Sequence, residues 1–312
     1  MEFKKALVTG GAGFIGSHLS YALLNRGLEI TIVDNLSTGK RENVPAGARF
    51  IQGDILDFNL IKELIQGVDI VFHEAARVSV RSSMKDFYQD AQNNIMGTLN
   101  LLHACIKSKV KKFIYASSMA VYADSLEPMP IKETYSTEPL SPYGIAKLAS
   151  EKYCLTITKE LGIECVVLRY FNTYGIGQTF TPYVGVITIF IRQLRAGESP
   201  TIFGTGEQRR DFVHVADVVD ATVKAMDYSG PRKIFNVGTG IGISVKELSS
   251  LLCSKINPSI QSSYTAEHPG EIKNSIADIS KAKKLMHYTP KGKLEQLIGE
   301  IITWNSSKKS TP

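Results

Sequence analysis

The sequence predicts an α/β fold, a doubly wound parallel sheet with a smaller C-terminal substrate-binding lobe. Three observations point to it: alternating strand-like and helix-like segments, a glycine loop at the first turn, and an acidic residue closing the next strand. The β-branched apolar runs ALVTG, ITIVD, RFIQGD, DIVFHEA, KKFIYASS and CVVLRYF alternate with longer helical patterns from Lys4 to about Leu168. Strands joined by helical crossovers return to the same end of the sheet and so run parallel.

The first turn reads Thr9-Gly10-Gly11-Ala12-Gly13-Phe14-Ile15-Gly16, with glycines at 10, 13 and 16 between a strand and a helix. Such a turn lets backbone approach a pyrophosphate at the positive end of the helix. Asp34 ends the following strand, where a carboxylate accepts hydrogen bonds from ribose hydroxyls. It would repel a 2′-phosphate, and no base follows until Lys40 and Arg41, so NAD is expected rather than NADP. Asp54, after the third strand, is placed either to meet the adenine amino group or to cap the strand end.

Ser117-Ser118 closes KKFIYASS, and Tyr143 and Lys147 stand four apart at the start of a helix running to about Leu161. That spacing puts both side chains on one helical face. A tyrosine of ordinary pKa near 10 is a poor base at neutral pH, but an ammonium and an oxidised nicotinamide both favour its phenolate. Tyr143 is then able to take a hydroxyl proton as hydride leaves. Ser118 either hydrogen-bonds the reacting oxygen or caps the strand-to-loop turn. A lone Tyr-xxx-Lys pair is common on exposed helices; its place downstream of a dinucleotide loop and a strand-end serine argues for a site.

Beyond Asn172 the pattern loosens into a glycine- and proline-containing stretch, a helix near Val186 to Arg195, a GTGEQRRDF loop, and a helix from Val215 to Met226. Ser244 with Glu247 forms a capping-box signature opening a helix through Cys253. His268 to Asp278 reads as loop, and the last dozen residues as frayed. Residues 1–172 are expected to form mainly the dinucleotide-binding domain and 173–312 mainly the substrate lobe, with 211–240 returning to the first.

A content of 43% hydrophobic and 21% charged residues is that of a globular chain. The 36 basic and 30 acidic residues are dispersed apart from Lys107 to Lys112 and Lys308-Lys309, which fits a small anionic substrate and no nucleic acid. Cys105, Cys154, Cys165 and Cys253 lack metal-ligand spacing, so no metal is expected, and buried thiols in a reducing compartment are. The glycine loop begins too near Met1 to leave room for a signal peptide, and no apolar run approaches the ~20 residues of a membrane span. A cytoplasmic protein with no membrane contact is expected.

Through TGGAGFIGSHL, VDNLSTG, GDI, NIMGTLNLL, YASSMAVY, SPYGIAK, LRYFNTYG and RRDFVHVADV the chain resembles the extended short-chain dehydrogenase/reductase family of the NAD-dependent epimerase/dehydratase type, over nearly its whole length. The resemblance implies a Rossmann domain of about seven parallel strands under a lobe that closes a nucleotide-sugar cleft. It implies catalysis by Ser118, Tyr143 and Lys147. It implies NAD contacts from Gly10, Gly13, Phe14, Ile15, Gly16, Asp34, Asn35, Leu36, Ser37, Thr38, Gly39, Asp54, Ile55, Ala75, Ala76, Asn94, Ser117, Tyr143, Lys147 and Phe171. Substrate contacts implied are Val78, Ser118 and Tyr143; Asn172 and Arg210, these two at the diphosphate; Val186 and Thr201 to Phe203 beside the uracil; and His268 and Glu271. Arg210 suits phosphate as a planar fork, unless it pairs with Asp211 or Asp217. His268 stands where the family often has arginine, so one phosphate contact is expected to be weaker, water-mediated or dependent on protonation; Ala123, where glycine is usual, is a smaller departure.

Dehydratases and decarboxylases of the family place an acidic residue just after the catalytic hydroxyl, whereas Met119-Ala120 follow Ser118 here. Ile176-Gly177-Gln178 lacks an arginine to hold a uronate carboxylate. The resemblance therefore implies a UDP-hexose 4-epimerase of galactose metabolism, with oxidation to a 4-keto sugar, its turnover, and re-reduction on the opposite face. Gly185 and Ser275 match positions that hold asparagine and tyrosine in enzymes restricted to plain hexoses, which implies room for N-acetylated sugars unless neighbouring loops fill it. A dehydratase, decarboxylase or uronate epimerase is the alternative; a non-catalytic NAD-binding regulator is more remote, since such proteins usually lose the tyrosine or lysine. A homodimer is implied by analogy, through long helices at Ala91 to Lys107 and Tyr143 to Leu161.

Overall fold

The computed structural model describes residues 2–178, 185–231, 233–267 and 272–307. Its strands are β1 (Lys5–Thr9), β2 (Glu29–Asp34), β3 (Arg49–Gln52), β4 (Ile70–His73), β5 (Lys112–Ser118), β6 (Pro130–Ile131) and β7 (Glu164–Tyr170). They continue with β8 (Asn172–Tyr174), β9 (Thr201–Phe203), β10 (Arg209–His214), β11 (Ile234–Val237), β12 (Gly242–Ser244), β13 (Ser263–Thr265) and β14 (Asn274–Ala277). The helices are α1 (Phe14–Asn25), α2 (Phe58–Leu64), α3 (Val80–Lys85), α4 (Phe87–Ala91), α5 (Gly97–Cys105) and α6 (Pro142–Glu160). In the second half lie α7 (Val186–Arg195), α8 (Val215–Asp227), α9 (Val245–Ile256), α10 (Ser280–Met286) and α11 (Leu294–Ser307).

Seven strands form one parallel sheet in the order β11-β7-β5-β4-β1-β2-β3. Both faces are covered, so β1 and β5 read as continuous apolar runs rather than alternating ones. The pleat sends Ala6 and Val8 into one core and Leu7 into the other. The order reverses beside β1, between β1–β2–β3 and β4–β5–β7–β11, and in such sheets ligands bind beyond the strands' carboxyl ends at the reversal. A second, five-stranded sheet is centred on β10, which pairs with β8, β12 and β14, while β14 also pairs with β6. A third core, including Phe190, Ile191, Leu248, Leu252 and Ile298, packs α7, α9 and α11 together.

Four expectations require correction. Asn274–Ala277, read as loop, is a fully buried strand, because its backbone pairs with Arg209–Arg210 on one side and Pro130–Ile131 on the other. The second half of GTGEQRRDF is likewise strand, in β10. Residues 301–307 continue α11, whose Ile298 and Ile301 are buried in the third core; residues 308–312, with Lys308-Lys309, lie outside the described residues. The helix expected at Ala91 to Lys107 starts earlier, at α4, passes through a π-helical segment at Gln92–Met96, and ends at Cys105.

Candidate active site

The glycine loop is shaped for a close backbone approach. Gly10 has φ +69°, and a Cβ at Gly16 would lie 2.2 Å from the Gly10 carbonyl oxygen, so α1 starts hard against the loop only because that Cβ is missing. Gly13 caps α1 without a side-chain bond, leaving the first-turn N–H groups to serve an anion. Phe14 and Ile15 lie in that first turn.

Asp34 is buried at the end of β2, where Oδ2 accepts the Ala12 N–H at 3.0 Å and Oδ1 the Leu36 N–H at 2.8 Å. Each oxygen retains accepting capacity for a ribose hydroxyl. Asn35 to Gly39 form the loop beyond it: the Asn35 amide reaches Asp54 Oδ2 at 2.8 Å and its oxygen accepts the Ser37 N–H, with Thr38 exposed beside them. A Cβ on Gly39 would meet the Ala12 carbonyl carbon at 2.8 Å. Asp54 also accepts the Leu56 N–H at 2.8 Å, so its carboxylate ties the end of β3 to this loop, with Ile55 buried next to it. Beyond β4, the Ala75 N–H donates to Thr9 Oγ1 at 3.2 Å, and Ala76 follows. Asn94 spends its amide on the Arg77 backbone, accepting the N–H at 2.9 Å and donating to the carbonyl at 3.1 Å. Phe171 is buried just past β7. The Ser117 hydroxyl donates to Glu151 Oε1 at 2.5 Å in a buried network. The loop, the helix terminus and the Asp34 carboxylate together fit a dinucleotide.

The candidate catalytic triplet, Ser118, Tyr143 and Lys147, is brought together by β5 and α6. Ser141 caps α6 by accepting the Gly144 N–H at 3.1 Å, and Pro142 fills the first turn, where its missing N–H costs nothing. Gly144 presses against the Met119–Val121 turn, where a Cβ would lie 2.2 Å from the Ala120 carbonyl oxygen. Tyr143 is thereby buried next to Ser118, whose Oγ accepts the Ala120 N–H at 3.2 Å and so caps the strand-to-loop turn. Burial pushes the Tyr143 phenol up to about 12, with the Ser118 bond pulling the other way. Lys147 donates to the Ala116 carbonyl at 2.8 Å with its ammonium 4.9 Å from the Tyr115 ring centre, and burial lowers it to about 8.

Seven of the expected substrate contacts, Val78, Asn172, Gly185, Val186, Thr201, Phe203 and Arg210, line one cavity of about 380 Å³ between α3, α7 and β10. Arg210 donates to the Arg209 and Lys273 carbonyls at 3.0 Å each. The carboxylates offered as its alternative partners are engaged elsewhere: Asp211 by Thr239, Gly240 and Ala277, and Asp217 by Lys291 and Gly292. Ser275 is fully buried and accepts from the Asn172 amide at 3.2 Å, so it sits behind a cavity residue rather than on the wall. His268 and Glu271 lie outside the described residues. All four cysteines are buried and free, and no cluster of metal-ligating side chains exists among the described residues. No helix among them is long and apolar enough to cross a membrane.

Sequence reasoning missed the residues that hold this site. Ser83 accepts the Tyr143 N–H at 3.1 Å, Ser150 donates to the Asn94 carbonyl at 2.8 Å, and Arg169 grips Glu151 at 2.9 and 2.7 Å. Glu151 and Arg169 sit within an α6 helix and an otherwise apolar strand, and a buried charge in each was the available signal.

The description of the NAD dependent epimerase/dehydratase family matches residues 6–238. The chain belongs to that family. Its cofactor is accordingly NAD. Among solved epimerase-family structures, the UDP-glucose 4-epimerase of Thermotoga maritima with UDP-glucose is 39% identical, with a TM-score of 0.92 over 97% of this chain and 99% of that one. The UDP-N-acetylglucosamine 4-epimerase of Methanobrevibacter ruminantium, in complex with UDP-N-acetylmuramic acid, is 36% identical, with a TM-score of 0.92 over 99% and 100%. A UDP-N-acetyl-alpha-D-glucosaminuronate decarboxylase of Bacillus cytotoxicus is 35% identical, covering 96% of this chain and 97% of its own length.

Proposed function

We propose that this chain is a 4-epimerase of UDP-hexoses, acting on UDP-glucose and UDP-galactose and also on UDP-GlcNAc and UDP-GalNAc. The observation that carries the reading is the Ser118–Tyr143–Lys147 arrangement followed by the uncharged turn Met119–Val121. Elimination or decarboxylation would call for a carboxylate there. The likeness to epimerases that act on plain and N-acetylated sugars supports the reading.

Tyr143 Oη takes the proton of the sugar 4-hydroxyl, and Ser118 Oγ hydrogen-bonds the same oxygen. When bound, NAD accepts the C4 hydride and returns it, and in its oxidised form adds a positive charge that favours the phenolate. Lys147, fixed on the Ala116 carbonyl, supplies a second positive charge. The 4-keto sugar turns over about its diphosphate link while Asn172, Arg210 and the Thr201–Phe203 segment hold the nucleotide. Gly185 leaves room on the cavity wall for an N-acetyl group.

In this reading residues 1–172 with 211–240 hold NAD and the remainder forms the substrate lobe. Exposed Phe87, Tyr88, Met96, Ile145 and Tyr153 along α4 to α6 support a homodimer through these helices. Four unpaired thiols support a cytoplasmic setting, and galactose metabolism is the corresponding context. The test is incubation of purified protein with UDP-glucose and, separately, UDP-GlcNAc, following the sugar proton couplings by NMR. Conversion to the axial 4-hydroxyl product is expected with both; conversion of neither overturns the reading, and a stable 4-keto product or released carbon dioxide favours a dehydratase or decarboxylase.

A further inference from the structure

Among the described residues, two charged side chains line the lobe cavity, Arg81 and Arg210, and both are cations. Arg210 comes from β10 and already donates to the Arg209 and Lys273 carbonyls. Arg81 comes from α3, on the other side of the cavity, and has no carboxylate or carbonyl partner among the described residues. Its guanidinium carbon stands 5.5 Å from the centre of the Phe203 ring on β9. A contact of that kind steadies the guanidinium plane while leaving its N–H donors unspent. The helix beneath it is fixed: Ser79 caps α3 by accepting the Ser82 N–H at 3.0 Å, and Ser83 accepts the Tyr143 N–H at 3.1 Å. Helix residues two apart do not share a face, so α3 turns Ser83 to the catalytic helix and Arg81 to the cavity.

We infer that Arg81 is a further nucleotide-binding residue, whose guanidinium takes the substrate diphosphate from the α3 side while Arg210 meets it from β10. The inference deepens the UDP-sugar reading and rests on it for the base lying beside Thr201–Phe203. A planar fork with free N–H groups matches a pair of phosphate oxygens. A cavity with two cations and no acid among its described residues suits the charge of a diphosphate. The neighbour of Arg81 is Phe203 rather than the Ser118–Tyr143 edge, so the anion it meets belongs to the nucleotide and not to the sugar. The ligand also displaces water from the cavity, which makes the pair worth more than an ion pair on open surface.

The test is calorimetric titration of the NAD-loaded protein with UDP and with uridine, which carries the base and ribose but no phosphate. Arg81→Gln should weaken UDP about tenfold and leave uridine within about twofold of the wild type. Added salt should narrow the gap between wild type and variant. Arg81→Lys, which keeps a charge without the fork, should fall between the two. In turnover Arg81→Gln should raise KM for UDP-glucose and UDP-GlcNAc by one common factor with kcat within about twofold, as for binding shared by ground and transition states. Unchanged UDP affinity overturns the inference, and so does an equal loss of UDP and uridine, which would leave Arg81 a support for the Phe203 ring. A loss confined to UDP-glucuronate overturns it in favour of a carboxylate on the sugar. If the wild type binds neither UDP nor uridine, the inference falls together with the UDP-sugar reading. If UDP binds but no sugar is converted, the epimerase reading fails alone, and the ratio of UDP to uridine affinity still decides the role of Arg81.

Discussion

The carboxyl edge of the seven-stranded sheet and the wall of the lobe cavity are built on opposite plans. At the edge nearly every polar group answers to more than one partner: Asn94 to both sides of Arg77, Glu151 to Ser117 and Arg169, Asp34 to Ala12 and Leu36. On the cavity wall, a Cβ added at Gly185 would meet, among the described residues, the Gln178 Nε2 at 3.8 Å. The edge fixes atoms for proton and hydride transfer, where a small misplacement is costly. The wall sets a volume, which a single side chain can retune.

The largest expected departure comes from Tyr143→Phe, which should lower kcat by roughly 10²- to 10⁴-fold in steady-state assays while NAD and UDP still bind. A loss below about tenfold would mean that the edge is not the seat of proton transfer. Next is Glu151→Gln, which strands the buried Arg169 guanidinium and should cost about 3–5 kcal/mol in urea unfolding. The double change Glu151→Met with Arg169→Met should cost much less, because no uncompensated charge remains. The smallest effect belongs to the wall: Gly185→Asn should depress kcat/KM for UDP-GlcNAc relative to UDP-glucose by roughly tenfold or more, with stability unchanged. Equal activity on both sugars would show that the wall elsewhere sets the volume.

The parallel sheet was readable because strands buried on both faces must be apolar throughout, as Lys112–Ser118 and Glu164–Tyr170 nearly are. The Ser244–Glu247 capping box was readable because its bonds are local. Asn274–Ala277 was not, since four residues of mixed polarity become a strand only through partners at 130–131 and 209–210. The candidate catalytic residues stood out through their order along the chain. The surroundings of Ser275 were not legible either, since its hydroxyl accepts from the Asn172 amide, about a hundred residues earlier in the chain. Glu74 lay in a quoted strand end, and only the fold brings the Tyr170 hydroxyl to its carboxyl.

The pairing of Ile276–Ala277 with Pro130–Ile131 also constrains how the protein can come to be folded. A nascent chain stopped short of Asn274 leaves both β6 and the Arg209–Arg210 edge of β10 without their partner. Contacts of such long sequence separation form late and slow the search. The substrate lobe is thus stitched to the first half of the chain by its own late-synthesised strand, and the finished fold waits on the emergence of that strand.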